Sequence, residues 1–258
     1  MINKSLKELL DIKFLQFNQV DFIKNDPISI PHKFQKLQDI EIMGFFAAML
    51  AWGQRKTIIN KCNELVNLFD NSPHEFMLYH TENDLKKLLN FKHRTFNTTD
   101  LLYFVHFFNS YYKENHSLET AFSQFLHHDD LNIEKSLVGF HDLFFSLPDF
   151  PTRTRKHIAT PKRKAACKRL SMYLRWLVRK DTNGVDFGLW NSIKPSQLIC
   201  PVDLHVARVA KRFNLLQRKQ MDWQAALELT SYLKTLDEND PVKYDFALFA
   251  LGVMEKYQ

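Results

Sequence analysis

Only six glycines are spread over 258 residues, and that scarcity limits the possible folds more than any other feature of the chain. Tight hairpins and bulges rely on glycine wherever the backbone must take a positive φ. A sheet-rich protein of this length would carry more of them. Phe and Leu recur instead at helical spacing. Hydrophobic residues make up 45% and aromatics 14% of the chain, ample for a packed core. An all-α fold is expected, either one large domain or two small ones sharing a cleft.

Cap signals divide the chain into about twelve helices. Starts are expected at Ser72 ("SPHE", with proline at the first helical position), at Thr81 ("TEND"), at Thr99 ("TTDLL") and at Ser117 ("SLET"). Periodicity places helices over 42–53, 55–69, 101–112 and 133–147, then over 162–180, 202–213, 223–236 and 242–257. The segment 147–161 holds three prolines and reads as an exposed connector. It divides residues 1–150, an N-terminal helical region, from 151–258, the two parts expected to act as one cooperative unit.

No apolar run is long enough to cross a bilayer. The start, "MINKSLKELLDIKFLQF", reads as an amphipathic helix with a Ser5–Glu8 capping box. It lacks the uninterrupted apolar core of a signal peptide. Cys62, Cys167 and Cys200 are scattered, with no CxxC pair. That pattern suits a reducing cytoplasm and argues against structural zinc or an iron–sulfur cluster. No metal and no cofactor is expected.

Charge is unevenly placed. The net value is +6, from 35 Lys and Arg against 29 Asp and Glu. Between Phe150 and Lys180 stand 11 basic residues and no acidic one, and without that window the net is −5. Such segregation favours a polyanion, most simply nucleic acid, over a merely solvated basic face. The cations are densest in "TPKRKAACKR", Thr160 to Arg169. A helix start is where the macrodipole prefers anions, so an external phosphate held by amides and cationic side chains accounts for them. On the helix that follows, Ala166, Leu170, Tyr173, Leu174 and Leu177 share one face. Lys164, Lys168, Arg175 and Arg179 share another, expected to meet solvent or a ligand.

Downstream stands "CPVDLHVARVAKRFNLL", Cys200 to Leu216. It resembles the segment "P-V-D-T-H-V-x-R-V-x-x-R-L-x-L" of the helix-hairpin-helix DNA glycosylase superfamily. That superfamily includes endonuclease III and the adenine and 8-oxoguanine glycosylases. Pro201, Val202, Asp203, His205, Val206, Arg208, Val209 and Arg212 match, and Leu204 departs where threonine is common. "FFAAMLAWGQRKTIINKCNELV", Phe45 to Val66, is similar to the early helix pair whose junction reads "L-L-S-x-Q-T". "KYDFALFALGVM", Lys243 to Met254, resembles the late helix "F-N-Q-A-L-M-D-L-G-A". The whole chain resembles a bacterial family of conserved hypothetical proteins distantly similar to these glycosylases. The archaeal 8-oxoguanine glycosylase, which also lacks an iron–sulfur cluster, is the nearest in style.

The resemblance implies two helical subdomains flanking a cleft and base-excision chemistry on double-stranded DNA with a flipped base. It further implies a monomer associated with the nucleoid. It makes Asp203 the catalytic carboxylate. It sets Gln54 and Arg55, Lys162, Arg163, Arg169, His205 and Arg208 against DNA, and it lines a base pocket with Tyr244, Asp245 and Leu248. The family's hairpin "L-P-G-V-G-x-K-T-A" corresponds here to "ATPKRKAACKRL", with neither glycine present. Those glycines permit close approach of backbone amides to phosphate.

Bifunctional members use a lysine amine as nucleophile at the sugar C1′ carbon, and a Schiff base and β-elimination follow. Cationic neighbours and burial favour the neutral amine such chemistry needs. Lys168, between Lys164 and Arg169, is the first candidate, and Lys164, in "RKAA" against the family's "RKTA", is the alternative. Plainer readings stand beside these. Asp203 follows Pro-Val and suits an N-cap. His205 suits packing or phosphate contact better than metal ligation. Gln54 could end a helix, and "FKHRTFNTTDLL" could present Arg94 to phosphate but suits a surface loop better. Trp52, Trp176, Trp190 and Trp223 suit the core, although one could stack on a flipped base. The functional alternatives are a glycosylase with AP-lyase activity on an oxidised purine, a noncatalytic nucleic-acid-binding protein on the same scaffold, and a monofunctional glycosylase using Asp203 and water.

Overall fold

A computed structural model describes residues 4–254. It is 64% helix and 2% strand, so the chain is all-α. The first helices are α1 (Lys4–Phe17), α2 (Val20–Ile23), α3 (Leu37–Met49), α4 (Arg55–Leu68) and α5 (Pro73–Tyr79). Then come α6 (Glu82–Lys87), α7 (Thr98–Glu114), α8 (Glu119–Ser123) and α9 (Glu134–Phe144). The last are α10 (Lys168–Val178), α11 (Leu204–Arg212), α12 (Trp223–Leu236) and α13 (Tyr244–Phe249). Among the described residues the strand content is one antiparallel pair, Lys92–His93 with Phe96–Asn97. None of the described helices is long and apolar enough to cross a membrane.

The chain forms two compact units, and their division differs from a single break near 150/151. One comprises 23–125 with 139–159, and the other comprises 1–22, 126–138 and 160–258. Proline-rich 147–161 is not simply exposed: Thr154, His157 and Ile158, in the unit of 23–125 and 139–159, are buried. Buried Asp100 is what draws them in. Its carboxylate accepts from Thr154 Oγ1 at 2.8 Å, lies 3.2 Å from His157 Nε2 and 3.1 Å from Arg153 Nη1.

That unit is built on α3, whose residues from Ile40 to Met49 are all buried. Phe45 and Phe46 meet Phe104 and Phe108 of α7 at ring-centroid distances of 5.5 to 5.8 Å. Glu41, also buried, is satisfied by Tyr112 Oη at 2.9 Å, by the Leu118 amide at 3.0 Å, and by Ser117 Oγ. Ser117 thus serves a buried carboxylate, and its Oγ also accepts from the amide of Glu119, the first residue of α8, at 3.1 Å. Likewise α7 starts from Asn97, in a capping box with Asp100, and not from Thr99. The Thr81 box is as expected, closed with Asp84.

In the other unit α1 lies along α13, with Phe14 and Phe22 against Phe246 at 6.2 and 5.4 Å. Ser5 lies inside α1. The expected helix over 162–180 is broken: a 3-10 turn covers Pro161–Arg163, and α10 starts only at Lys168. Between them Ala165 pairs with Asp222 in an isolated bridge, and the Trp223 amide donates to the Lys164 carbonyl at 3.1 Å. Trp176, Trp190 and Trp223 are core residues here, while Trp52 of the first-described unit is half-buried. The expected helix over 242–257 is a 3-10 turn, then α13, then a π-helical turn Ala250–Met254. Residues beyond 254 lie outside the described ones.

Candidate active site

Glycine scarcity has a visible consequence where the chain must turn. Among the described residues, seven non-glycine ones have positive φ: Asp70, Asn71, Arg94, Asp149, Lys164, Cys167 and Asn214. Asp and Asn tolerate this region, whereas Arg, Lys and Cys do so at a cost. Two of those three costly residues flank the entry to α10. Lys164 (φ 58°, ψ 18°) closes the 3-10 turn, and Cys167 (φ 52°, ψ 25°) is the N-cap of α10. The entry to α10 is thus turned by lysine and cysteine, without a glycine.

The turn presents Lys168 as the first residue of α10. Its Nζ stands 3.2 Å from Oδ2 of Asp203, 35 positions on in sequence. The side chains keep 31% and 21% of their exposure, so the pair is reachable from solvent. Asp203 is the N-cap of α11, and its Oδ1 accepts from the amides of His205 and Val206, both at 2.9 Å. Burial pushes this carboxyl upward, but the Lys168 charge and the two amides outweigh it and hold it below the ordinary value. The capping role expected of Asp203 and its pairing with a lysine coexist, one oxygen for each.

Behind the pair lies a buried ionic cluster. Arg175, two turns along α10 from Lys168, is hydrogen-bonded to Asp245 of α13 and lies 3.3 Å from Asp186. Arg179 reaches Asp186 at 3.1 Å, Asp240 at 2.8 Å and Asp181 at 2.5 Å. Arg175 and Arg179 are 4% and 2% exposed. This corrects the expectation that they share a ligand-facing side with Lys168: an unpaired guanidinium could not be buried, but aspartates from outside the basic window meet these two. Burial pushes the Asp245 carboxyl up to about 6, with Asp203 and Asp186 adding to the effect and Arg175 and Lys168 opposing it.

The sequence profile of the family described as "Protein of unknown function (DUF2400)" matches residues 26–254. The chain belongs to the DUF2400 family. No curated protein and no solved structure matches it. The matched span contains Lys168, Asp203 and the whole Arg175–Asp245 cluster of this DUF2400 chain.

The remaining expected site residues fall in several places. Lys164 is exposed on the turn, outside α10, so it is not one helical turn from Lys168; the amine that meets Asp203 is that of Lys168. Lys162 and Arg163 are exposed on the same turn, and Arg169 is half-buried. His205 is exposed, and exposed Arg208 donates Nη2 to the Gly252 carbonyl at 2.9 Å. The packing at Gly252 is close, since a Cβ there would stand 3.0 Å from the His205 carbonyl oxygen. Tyr244 and Leu248 are fully buried, the Tyr244 hydroxyl donating to Asp11 at 2.9 Å. In this conformation neither offers an open surface to a base. In the other unit, Gln54 is the exposed N-cap of α4, so it begins that helix, and Arg55 is half-buried. Arg94 lies in the turn of the strand pair with its guanidinium 5.6 Å from the Trp52 ring. The three thiols are buried, and burial raises Cys62 and Cys167 to about 12.

The sequence reading missed the role of Arg175 and its aspartates. A signal for it was present: Arg175 falls two turns after Lys168 on one helix, and "DTNGVDFG" supplies two acids immediately after the basic run.

Proposed function

We propose that the chain is a DNA glycosylase with AP-lyase activity that removes an oxidised purine of the 8-oxoguanine type from duplex DNA. The observation that carries this reading is the 3.2 Å approach of the Lys168 amine to the Asp203 carboxylate. An amine at a strained turn and an ionised acid beside it are the groups required to displace a base from a sugar. Lys168 Nζ attacks C1′ of the everted nucleotide, and the glycosidic bond breaks with its electron pair leaving on the base. Loss of the amine proton and opening of the sugar ring give the Schiff base, from which β-elimination nicks the strand. Asp203, ionised through the neutral range, stabilises the positive charge that develops on the sugar. The glycosylase arrangement of two subdomains, the monomeric state and the duplex partner are parts of the same proposal. The exposed cations Lys162, Arg163 and Lys164 support phosphate binding at the turn.

Incubation with an 8-oxoguanine duplex and borohydride is expected to trap a covalent complex. Lys168→Gln should abolish trapping while DNA binding persists. Trapping that survives both in Lys168→Gln and in Lys164→Gln refutes the assignment.

A second reading, noncatalytic nucleic-acid binding, is favoured by one observation: both Asp203 oxygens are already engaged, one capping α11 and one pairing Lys168. It predicts salt-sensitive binding without base release from any lesion. Base release without strand nicking would select a monofunctional enzyme using Asp203 and water.

A further inference from the structure

We infer that the outer face of α11 is a contact surface for duplex DNA, with Leu204 as an apolar wedge at its tip. The leucine enters the base stack beside the Lys168–Asp203 pair, and Arg208, Lys211 and Arg212 bind the phosphates that follow. The inference rests on the reading of that pair as the place where a nucleotide is everted, and it names what fills the space left behind.

The face is set by the packing of α11. Val206, Ala207, Val209 and Ala210 are buried, and the helix lies against α13. What remains outside is Leu204, His205, Arg208, Lys211 and Arg212, all exposed. These five fall within about a third of the helix circumference at 3.6 residues per turn. No acid stands among them. Arg208 and Lys211 are bonded to the carbonyls of Gly252 and Lys219, at 2.9 and 3.3 Å, and to no carboxylate among the described residues. Their charge is therefore uncompensated, and it suits a polyanion. The three cations span about 6 Å of helix axis. A DNA strand carries one charge per about 3.4 Å of its own axis, so they match roughly two phosphates.

Leu204 is 78% exposed. A lone surface leucine by itself carries no meaning, but this one has a particular place. It directly follows Asp203, whose carboxylate lies 3.2 Å from the Lys168 amine. It is the sole apolar side chain on a cationic face, and it points outward although Val202 and Val206 on either side are buried. The helix-end amides of His205 and Val206 are already taken by Asp203, so this end offers a ligand the leucine side chain. Apolar wedges of this kind enter DNA where a base step is opened.

The test compares binding of the full chain to an intact duplex and to one carrying a central tetrahydrofuran abasic analogue, which offers the wedge an open step and cannot form a Schiff base. The gapped duplex should bind on the order of tenfold more tightly, the gain from burying most of one leucine. Leu204→Ser should abolish that preference, leaving the salt slope and Tm unchanged, and Leu204→Met should keep it. Leu131→Ser, at an 82% exposed leucine elsewhere in the same unit, should change nothing. Lys211→Gln should lower the salt slope by about one and keep the preference. The macrodipole also favours a lysine in the last turn, but that role alone would not move the slope. No preference in the unaltered chain, a preference that survives in Leu204→Ser, or an unchanged slope in Lys211→Gln overturns the inference. So does polyglutamate that displaces the duplex as well as unlabelled duplex does at equal charge, the behaviour of a face built for an acidic protein. None of these readings needs base release, so failed borohydride trapping removes the glycosylase reading while the wedge is decided separately.

Discussion

The sharpest prediction concerns the turn before α10, where Lys164 has φ 58°. The left-handed region costs an L-residue with a Cβ about 1–2 kcal/mol, and glycine escapes that cost. Glycine in turn gives the unfolded chain more freedom, worth about 0.5–1 kcal/mol against folding. Lys164→Gly should therefore stabilise the protein by roughly 0.5–1 kcal/mol, a rise in Tm of about 1–4 °C for a chain of this size. Nothing else of weight changes: Lys164 is exposed, and its backbone bonds, to the Pro161 carbonyl at 2.7 Å and from the Trp223 amide at 3.1 Å, do not involve its side chain. The control is Arg163→Gly, one residue earlier on the same turn, exposed and without positive φ. It should lose roughly 0.5–1 kcal/mol. Both variants are followed by thermal unfolding at about 0.3 M salt, where relief of repulsion in the cationic turn is screened. If Lys164→Gly lowers the midpoint as Arg163→Gly does, the strained turn is not a property of the folded protein.

Two further predictions follow from the ionic cluster. Arg175→Gln should destabilise by about 3–5 kcal/mol in denaturant titration, because it leaves Asp245 buried without its bonded cation and Asp186 with Arg179 alone; a loss below about 1 kcal/mol would mean that water reaches the cluster. Asp245, raised from 3.8 to about 6, binds its proton more tightly folded than unfolded, so its contribution to stability is complete below pH 3.8 and is lost as pH rises to about 6. Removing it with Asp245→Asn should flatten the urea stability profile between those values by about 3 kcal/mol, and a variant profile parallel to the original counts against the buried placement.

Much of this was legible in the sequence. The helical class followed from glycine scarcity and helical spacing, and the approach of Lys168 to Asp203 coincides with the segment resembling a known motif. What a sequence window conceals is partners. Arg175 and Arg179 counted as free positive charge because no acid lies between Phe150 and Lys180, yet Asp181 and Asp186 follow at once and Asp240 and Asp245 return from the far end of the chain. One cap was misplaced for a similar reason: Thr99 is a good N-cap type, but Asn97 is matched to Asp100; Ser117 does meet the first amide of α8 while its hydroxyl also serves buried Glu41. The division of the chain was hidden because residues 1–22 and 126–138 belong with the C-terminal unit through tertiary contacts alone.

The turn before α10 joins these two kinds of information. Composition offers no glycine for it. The backbone nevertheless turns there, with Lys164 and Cys167 held at positive φ. A glycine at 164 would fold more comfortably but would remove a cation from the very place where Lys162, Arg163 and Lys168 concentrate charge. Strained backbone of this kind motivates a functional hypothesis. The side chain of Lys164 bears a charge and is exposed, free of the bonds that hold the turn. An anion that approaches this turn would meet that charge, and removing it should weaken nucleic-acid binding and its salt dependence even as it steadies the protein. The two effects of one substitution, opposite in sign, separate a turn shaped for a ligand from one that is merely tolerated. A Lys164→Gly protein that is more stable and binds duplex DNA as tightly as before, with the same salt slope, would leave the strain without a function.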